Sequence, residues 1–238
     1  MYDELLFKQP DSSYLGDCPI CCLPMPLDKF GIHFCCSQKI CIGCVLTNQI
    51  REKKEVKEHR CPFCRQIVPE TDEAYDKLII KRAKLNDPIA LHELGNENYR
   101  RGNYERAFHY YSKAIALGDV LSIYKLSIMY CEGEGVEKDS AKERALLEKT
   151  AIAGHPDARY NLGCIEEEFG RLDKAVKHWI IAANLGHEKS TKALKDCYKH
   201  GHVSKDDFAA ALRANQAAVD ERKSPQREAA KAFCGSLF

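Results

Sequence analysis

The pattern of apolar and polar positions changes near residue 66. Ahead of that point apolar residues stand singly among cysteines and the prolines Pro10, Pro19, Pro24, Pro26 and Pro62, with no sustained helical period. One stretch inside it, VLTNQIREKKEVKEHR (45–60), has helix-forming composition. Val45, Leu46 and Ile50 share one face, and charges of alternating sign from Arg51 to Arg60 predict a solvated opposite face. After it, TDEAYDKLIIKRAKLN (71–86) reads as an amphipathic helix, with Tyr75, Leu78, Ile79 and Leu85 available to pack. Residues 1–17 are polar without apolar periodicity and are expected as a flexible lead. Residues 221–238, with Ser224-Pro225, are expected as a polar tail.

From residue 87 the chain repeats. Leu94, Leu126, Leu162 and Leu194 are 32, 36 and 32 residues apart, and Ala90, Ser122, Ala158 and Ser190 keep the same offsets. Gly118, Gly154 and Gly186 follow the same spacing, with Asn86 at the matching earlier place. A period of about 34 residues is that of tetratricopeptide-type helix pairs. The longer interval fits an insertion around GEGV (133–136), and turns are expected near Gly102, Gly135 and Gly170. Small residues recur where neighbouring helices approach closely. Gly or Asn ends each second helix because either accepts a left-handed cap, and Asp87-Pro88 supplies an N-cap with proline at the first helical position. Cys131, Cys164 and Cys197 fall singly and are expected as small buried apolar residues. In detail CEGEGVEKDSAKERALLEKTAIAGHPDARYNLG (131–163) resembles the Sel-like subclass of these repeats, through Gly-x-Gly-Val, Asp139 and the Ala-x-x-Gly-His ending. The resemblance covers about 87–220. It departs at Ser127 and Lys195, which replace the glycine seen at Gly95 and Gly163, so the last repeat is expected to be a cap.

Charge narrows the partners. With 36 basic and 35 acidic residues the net charge is +1, which gives no electrostatic drive toward nucleic acid. No apolar run reaches the length of about 20 residues needed for a membrane span, and no secretory signal is visible. The expected compartment is cytoplasm or nucleus. There, clustered cysteines bind metal rather than form a disulfide framework.

Nine of the 13 cysteines lie between residues 18 and 64. Cys18/Cys21, Cys41/Cys44 and Cys61/Cys64 are Cys-x-x-Cys pairs, and Cys35 and Cys36 are adjacent between the first two. Each Cys-x-x-Cys turn brings two thiolates to one metal at about 2.3 Å, and eight ligands make two closed, structural zinc sites. A module this small depends on its metals, worth on the order of 10 kcal/mol each, to fold. Cys22 is a spare.

The spacing resembles the RING finger family. That resemblance implies a cross-brace, with Cys18, Cys21, Cys41 and Cys44 on one zinc and Cys35, Cys36, Cys61 and Cys64 on the other. Gln38 stands where most RINGs place a histidine, so the all-cysteine variant applies. Adjacent ligands demand a kinked backbone, and His33 or His59 is the alternative to Cys35. The resemblance also implies a surface for a ubiquitin-conjugating enzyme and ubiquitin, formed by Ile20, Leu46, Pro62 and Arg65. The expected architecture is a small zinc-bound α+β RING domain at 18–66, a linker helix at 67–86 and an all-α helical-repeat solenoid at 87–220. The sequence shows no nucleophile with its base, no phosphate-binding glycine loop and no recognisable carboxylate pair. A RING-type ubiquitin ligase needs none, because it works by orienting the charged conjugating enzyme. The repeats would hold a substrate or adaptor protein. The alternative is a non-catalytic zinc-binding interaction scaffold.

Overall fold

The structure is a computed structural model, and it describes residues 2–27, 30–55 and 58–235. Helix α1 (Tyr2–Leu6) leads to a hairpin of β1 (Phe30–His33) and β2 (Gln38–Cys41), followed by α2 (Ile42–Lys54) and α3 (Asp72–Ala83). Helix pairs follow: α4 (Pro88–Arg100) with α5 (Tyr104–Ala116), then α6 (Val120–Glu132) with α7 (Ser140–Ile152). Next come α8 (Pro156–Glu168) with α9 (Leu172–Asn184), α10 (Glu188–Lys199) with α11 (Lys205–Glu221), and finally α12 (Pro225–Gly235). The chain forms two compact units, residues 1–14 with 120–221 and residues 15–119 with 222–238.

In the second of these units the antiparallel hairpin pairs Phe30 with Cys41 and His33 with Gln38. Met25, Ile40, Cys18, Cys41 and Cys44 form its small core, with Leu15, Phe30 and Val45 packed around them. The expected helix at 45–60 begins earlier, at Ile42, and ends at Lys54; Val56 and Lys57 lie outside the described residues. Helix α3 is capped by Thr71, whose side chain accepts from the N–H of Ala74. Its Tyr75, Leu78 and Ile79 pack with Phe34 and Ala90, and the Tyr75 hydroxyl donates to the carbonyl of Ile32 at 2.8 Å. Leu85, expected to pack with them, is 67% exposed because the helix has already ended before it. Asn86 then takes φ 57°, and the Asp87 carboxylate accepts from the N–H groups of Ile89 and Ala90 to start α4.

The glycine after the repeat leucine has a specific cause. A Cβ on Gly95 would stand 2.5 Å from the Tyr111 ring, and one on Gly163 would stand 2.2 Å from the Trp179 indole nitrogen. In each pair an aromatic ring of the second helix lies against bare backbone of the first. The place corresponding to Tyr111 and Trp179 is Leu147 in the repeat that has Ser127, and Ala211 in the one that has Lys195. A smaller facing side chain leaves room for a Cβ, so those departures keep the packing. The repeat cores are otherwise apolar: Trp179, Leu194, Cys197, Val203 and Ala211 form one, Leu147, Ala151, Ala158 and Leu162 another. Glu166 is fully buried between the guanidinium groups of Arg144 and Arg171, which hold its carboxyl below the usual range against the opposing effect of burial. Cys197 is buried and Cys164 half-buried, but Cys131 is exposed at the end of α6 and is not a core residue.

Both ends differ from expectation. Residues 1–17 are not a featureless lead: α1 buries Leu6 against Leu147, Ala151, Ala158 and Leu162. The stretch from 221 is not only a polar tail. Ser224 caps α12 by accepting from the N–H of Arg227, and α12 packs on α2 with Ala230 fully buried. One apolar anchor in each of these segments is too little to show as periodicity.

Candidate metal centre

Two groups of four cysteines converge, Cys18, Cys21, Cys41 and Cys44 in one, and Cys35, Cys36, Cys61 and Cys64 in the other. Within each group the sulfurs all lie within 4.8 Å of one another. The Sγ separations are 3.9 Å for Cys18–Cys44, 3.8 Å for Cys21–Cys41 and 3.6 Å for Cys36–Cys61. A tetrahedron with metal–sulfur bonds of about 2.3 Å has edges of about 3.8 Å. Each group fits one metal ion with no position left open.

Local backbone geometry explains how the pairs are built. In the first loop the N–H of Cys22 donates to the carbonyl of Cys18 at 2.8 Å, and that of Cys18 to Leu23 at 2.9 Å. In the third, Arg65 donates to Cys61 at 3.0 Å and Cys61 to Gln66 at 2.8 Å. The residue after the second cysteine is left-handed in both, with φ 54° at Cys22 and 60° at Arg65. Cys22 therefore closes the first turn as Arg65 closes the third, and it is exposed rather than a ligand. The pair Cys41/Cys44 sits on the end of β2 and the first turn of α2. Cys35 and Cys36 occupy the tip of the β1–β2 hairpin, where Cys36 donates to the carbonyl of His33 at 3.1 Å and Ser37 has φ 57°. This tight turn is the kink that lets adjacent cysteines face one centre.

Neither His33 nor His59 joins a group. His59 instead bonds the Glu52 carboxylate through Nδ1 at 2.6 Å, and the other Glu52 oxygen accepts from the N–H of Arg60. That pair ties α2 to the third cysteine loop. Its carboxylate is held below the ordinary range by His59 and by the Arg60 N–H, against burial.

The electrostatics are those of thiols crowded together and partly buried. Burial, and then neighbouring thiols, push Cys35 and Cys44 up, and burial and Cys61 raise Cys36 to about 11. Burial opposes ionisation of Cys18 too, but N–H groups of Cys41, Cys21 and Ile20 bring it down to about 7. In the first group Cys18 ionises most readily while burial makes Cys41 and Cys44 resist, and a divalent ion bound there would deprotonate all four.

One contributor was not legible beforehand. Arg227 on α12 is 2% exposed and donates to the Cys21 sulfur at 3.3 Å. It also donates to the carbonyls of Pro24 at 2.8 Å, Arg222 at 2.7 Å and Leu23 at 3.3 Å. Ser224-Pro225 was the available signal, an N-cap followed by proline at the first helical position.

Of the other expected site residues, Ile20 is 44% exposed between Cys18 and Cys21, Pro62 and Arg65 are exposed, and Leu46 is half-buried on α2. Among the described residues no helix is long and apolar enough to cross a membrane.

The family model for the Sel1 repeat matches residues 88–119, 120–155 and 156–187. No RING-family model matches the cysteine-rich segment. DAP3-binding cell death enhancer 1 of Mus musculus is 26% identical over 185 residues, 61% of this chain and 36% of that protein. The Rattus norvegicus protein of the same name is 25% identical over the same length. The chain thus spans about a third of the length of these relatives. A Sel1 repeat protein from Oxalobacter formigenes has a solved structure that superposes with a TM-score of 0.53 at 19% identity, over 74% of this chain and 71% of that one. Family match, period and fold agree, and residues 88–187 are three Sel1 repeats.

Proposed function

We propose that this chain is a zinc-stabilised protein-interaction scaffold, in which two structural zinc ions hold the cysteine module and the helical repeats bind a protein partner. The three consecutive Sel1 repeats carry this reading, because stacked helix pairs of this kind offer continuous surfaces rather than a reaction centre. The relatives' name, which describes binding to DAP3, supports a protein as the partner class. The test is cross-linking mass spectrometry on the tagged chain with its co-purifying proteins, DAP3 included as a defined candidate. Cross-links concentrated on 88–187, unchanged by Cys61→Ser, are the expected result. Partners that cross-link only to residues 18–66 would refute it.

A second reading, a RING-type ubiquitin ligase, is favoured by the interleaving of the two cysteine groups along the chain. Ile20, Pro62 and Arg65 at the surface, with Leu46 half-buried on α2, would dock the conjugating enzyme and hold ubiquitin. In this reading the chain forms no covalent bond and accelerates transfer by orientation. Autoubiquitination across a panel of conjugating enzymes, beside Ile20→Ala and Arg65→Ala with zinc content checked, separates the readings. Conjugates lost in both variants would establish the ligase. Silence from a chain holding two zincs leaves the scaffold.

A further inference from the structure

Residues 2–14 lie in a furrow lined by α7, α8 and α9 of the same compact unit: Tyr2 donates to Glu148 at 2.7 Å, Leu6 packs on Leu147 and Leu162, and Asn184 donates to Gln9 at 3.1 Å. Their anchoring resembles that of a bound peptide. Leu6 is the buried apolar anchor, 4% exposed, while Tyr2 and Leu5 remain about half exposed at 55% and 50%. Backbone, not side chains, meets the most specific receptor group. The fully buried Arg159 guanidinium donates to the carbonyls of Leu6 and Lys8, and burial holds its pKa down to about 10. Further along, the Tyr14 N–H donates to the carbonyl of Gly154 at 3.4 Å, and its ring stacks on His155 at 4.4 Å. Helix α1 has five residues, far below the length at which an isolated helix persists in water, so it owes its order to the furrow.

The match is incomplete on the receptor side. The His178 ring lies 4.7 Å from the Phe7 ring and is fully buried, yet neither of its nitrogens has a hydrogen-bond partner, and nor does Arg159 Nε. Buried polar groups without partners are uncommon in a finished core. They suit a surface that serves more than one occupant.

We propose that the α7–α9 furrow is a peptide-binding groove, that residues 2–14 are its resident ligand, and that a protein partner enters by presenting a like segment. That segment would be a short helical turn ending in a Leu–Phe pair, continuing extended so that Arg159 reads its carbonyls. The inference rests on the scaffold reading and names the site and partner class for it. Residues 2–14 belong to the same chain as the furrow, so they compete intramolecularly and the intact chain resists capture of a free peptide.

The test uses the full-length chain and a fluorescently labelled peptide of residues 1–14. Binding measured by anisotropy is expected to be at least tenfold tighter to the Leu6→Asp/Phe7→Asp chain than to the unaltered one. Adding Arg159→Ala to the double variant should abolish it. Equal binding to both chains, or none to a double variant whose α8 amides stay protected, overturns the proposal. Hydrogen exchange on the unaltered chain gives an independent arm. Amides of 2–14 should open separately from, and much faster than, those of α8. Exchange of both as one cooperative unit, or unfolding of α7–α9 in the double variant, would make the segment part of the core and also overturn it. Partner cross-links that persist on 88–187 while the peptide fails to bind would sink this groove and leave the scaffold reading standing.

Discussion

Arg227→Met tests whether α12 belongs to the metal centre. The substitution keeps an unbranched side chain for packing and removes every donor. What is lost is the N–H···S contact to Cys21 at 3.3 Å and the bonds to the carbonyls of Leu23, Pro24 and Arg222. The Cys21 and Cys41 thiolates in turn raise the Arg227 pKa, against burial, so the guanidinium stays charged beside the sulfur. Removing an outer-shell donor of this kind costs about 10–100-fold in metal affinity, or about 1.4–2.7 kcal/mol. The loss should fall on one site only, because Arg227 touches none of Cys35, Cys36, Cys61 or Cys64 in its bonds. Titration of the zinc-loaded chain with a chromophoric chelator resolves the two ions. In the variant one zinc should leave at about 10–100-fold lower chelator activity while the other leaves as before. Two unchanged steps would show that the contact to Cys21 contributes nothing to metal retention. Equal weakening of both would show that α12 supports the module as a whole rather than one site.

Gly163→Ala should destabilise the repeats although alanine is the better helix former. The new Cβ meets the Trp179 indole at 2.2 Å, and overpacking of about 1–3 kcal/mol outweighs the propensity gain of about 1. Trp179→Leu in the same chain should recover part of the loss, as the Ser127 and Leu147 positions suggest, and strictly additive urea midpoints would refute the pairing. Stripping the metals should abolish amide protection in β1 and β2 while α8 and α9 keep theirs; a protected hairpin in metal-free protein would show that the core around Ile40 suffices. For pH, burial chiefly lowers His155 and His178 to about 4, so both fold as neutral rings. Their contribution is complete above the unfolded value of about 6.5 and declines as pH falls toward 4, because the unfolded chain takes up the protons first. Between pH 7.5 and 5 stability should fall, and His178→Phe should flatten the slope by up to about 1.4 kcal/mol per pH unit; an unchanged slope would refute the assignment.

What was legible in the sequence follows from where the physical constraint is local. The helix pairs could be read because each repeat meets the same packing problem, so leucine, small residue and cap recur at one spacing. The left-handed caps at Asn86, Gly118, Gly154 and Gly186 were legible for the same reason, φ being a property of one residue. Cysteine spacing gave the three loops, but adjacency at Cys35 and Cys36 left the fourth pair open between thiolate and imidazole. In the structure both stand at a four-residue hairpin tip and fall in one group of four with Cys61 and Cys64, a placement set by register, which depends on two strands rather than one. The segments at either end failed as sequence signals because each is tied to distant residues through one arginine, which lies in α8 for the first segment and within α12 itself for the second. Arg159 reads carbonyls of residues 6 and 8, and Arg227 reads those of 23 and 24. A guanidinium that binds backbone accepts nearly any side chain at its partner positions, so it imposes no pattern there. Contacts of this kind are invisible to periodicity and motif alike. In this chain they fix the two terminal segments, one against the cysteine module and one against the repeats.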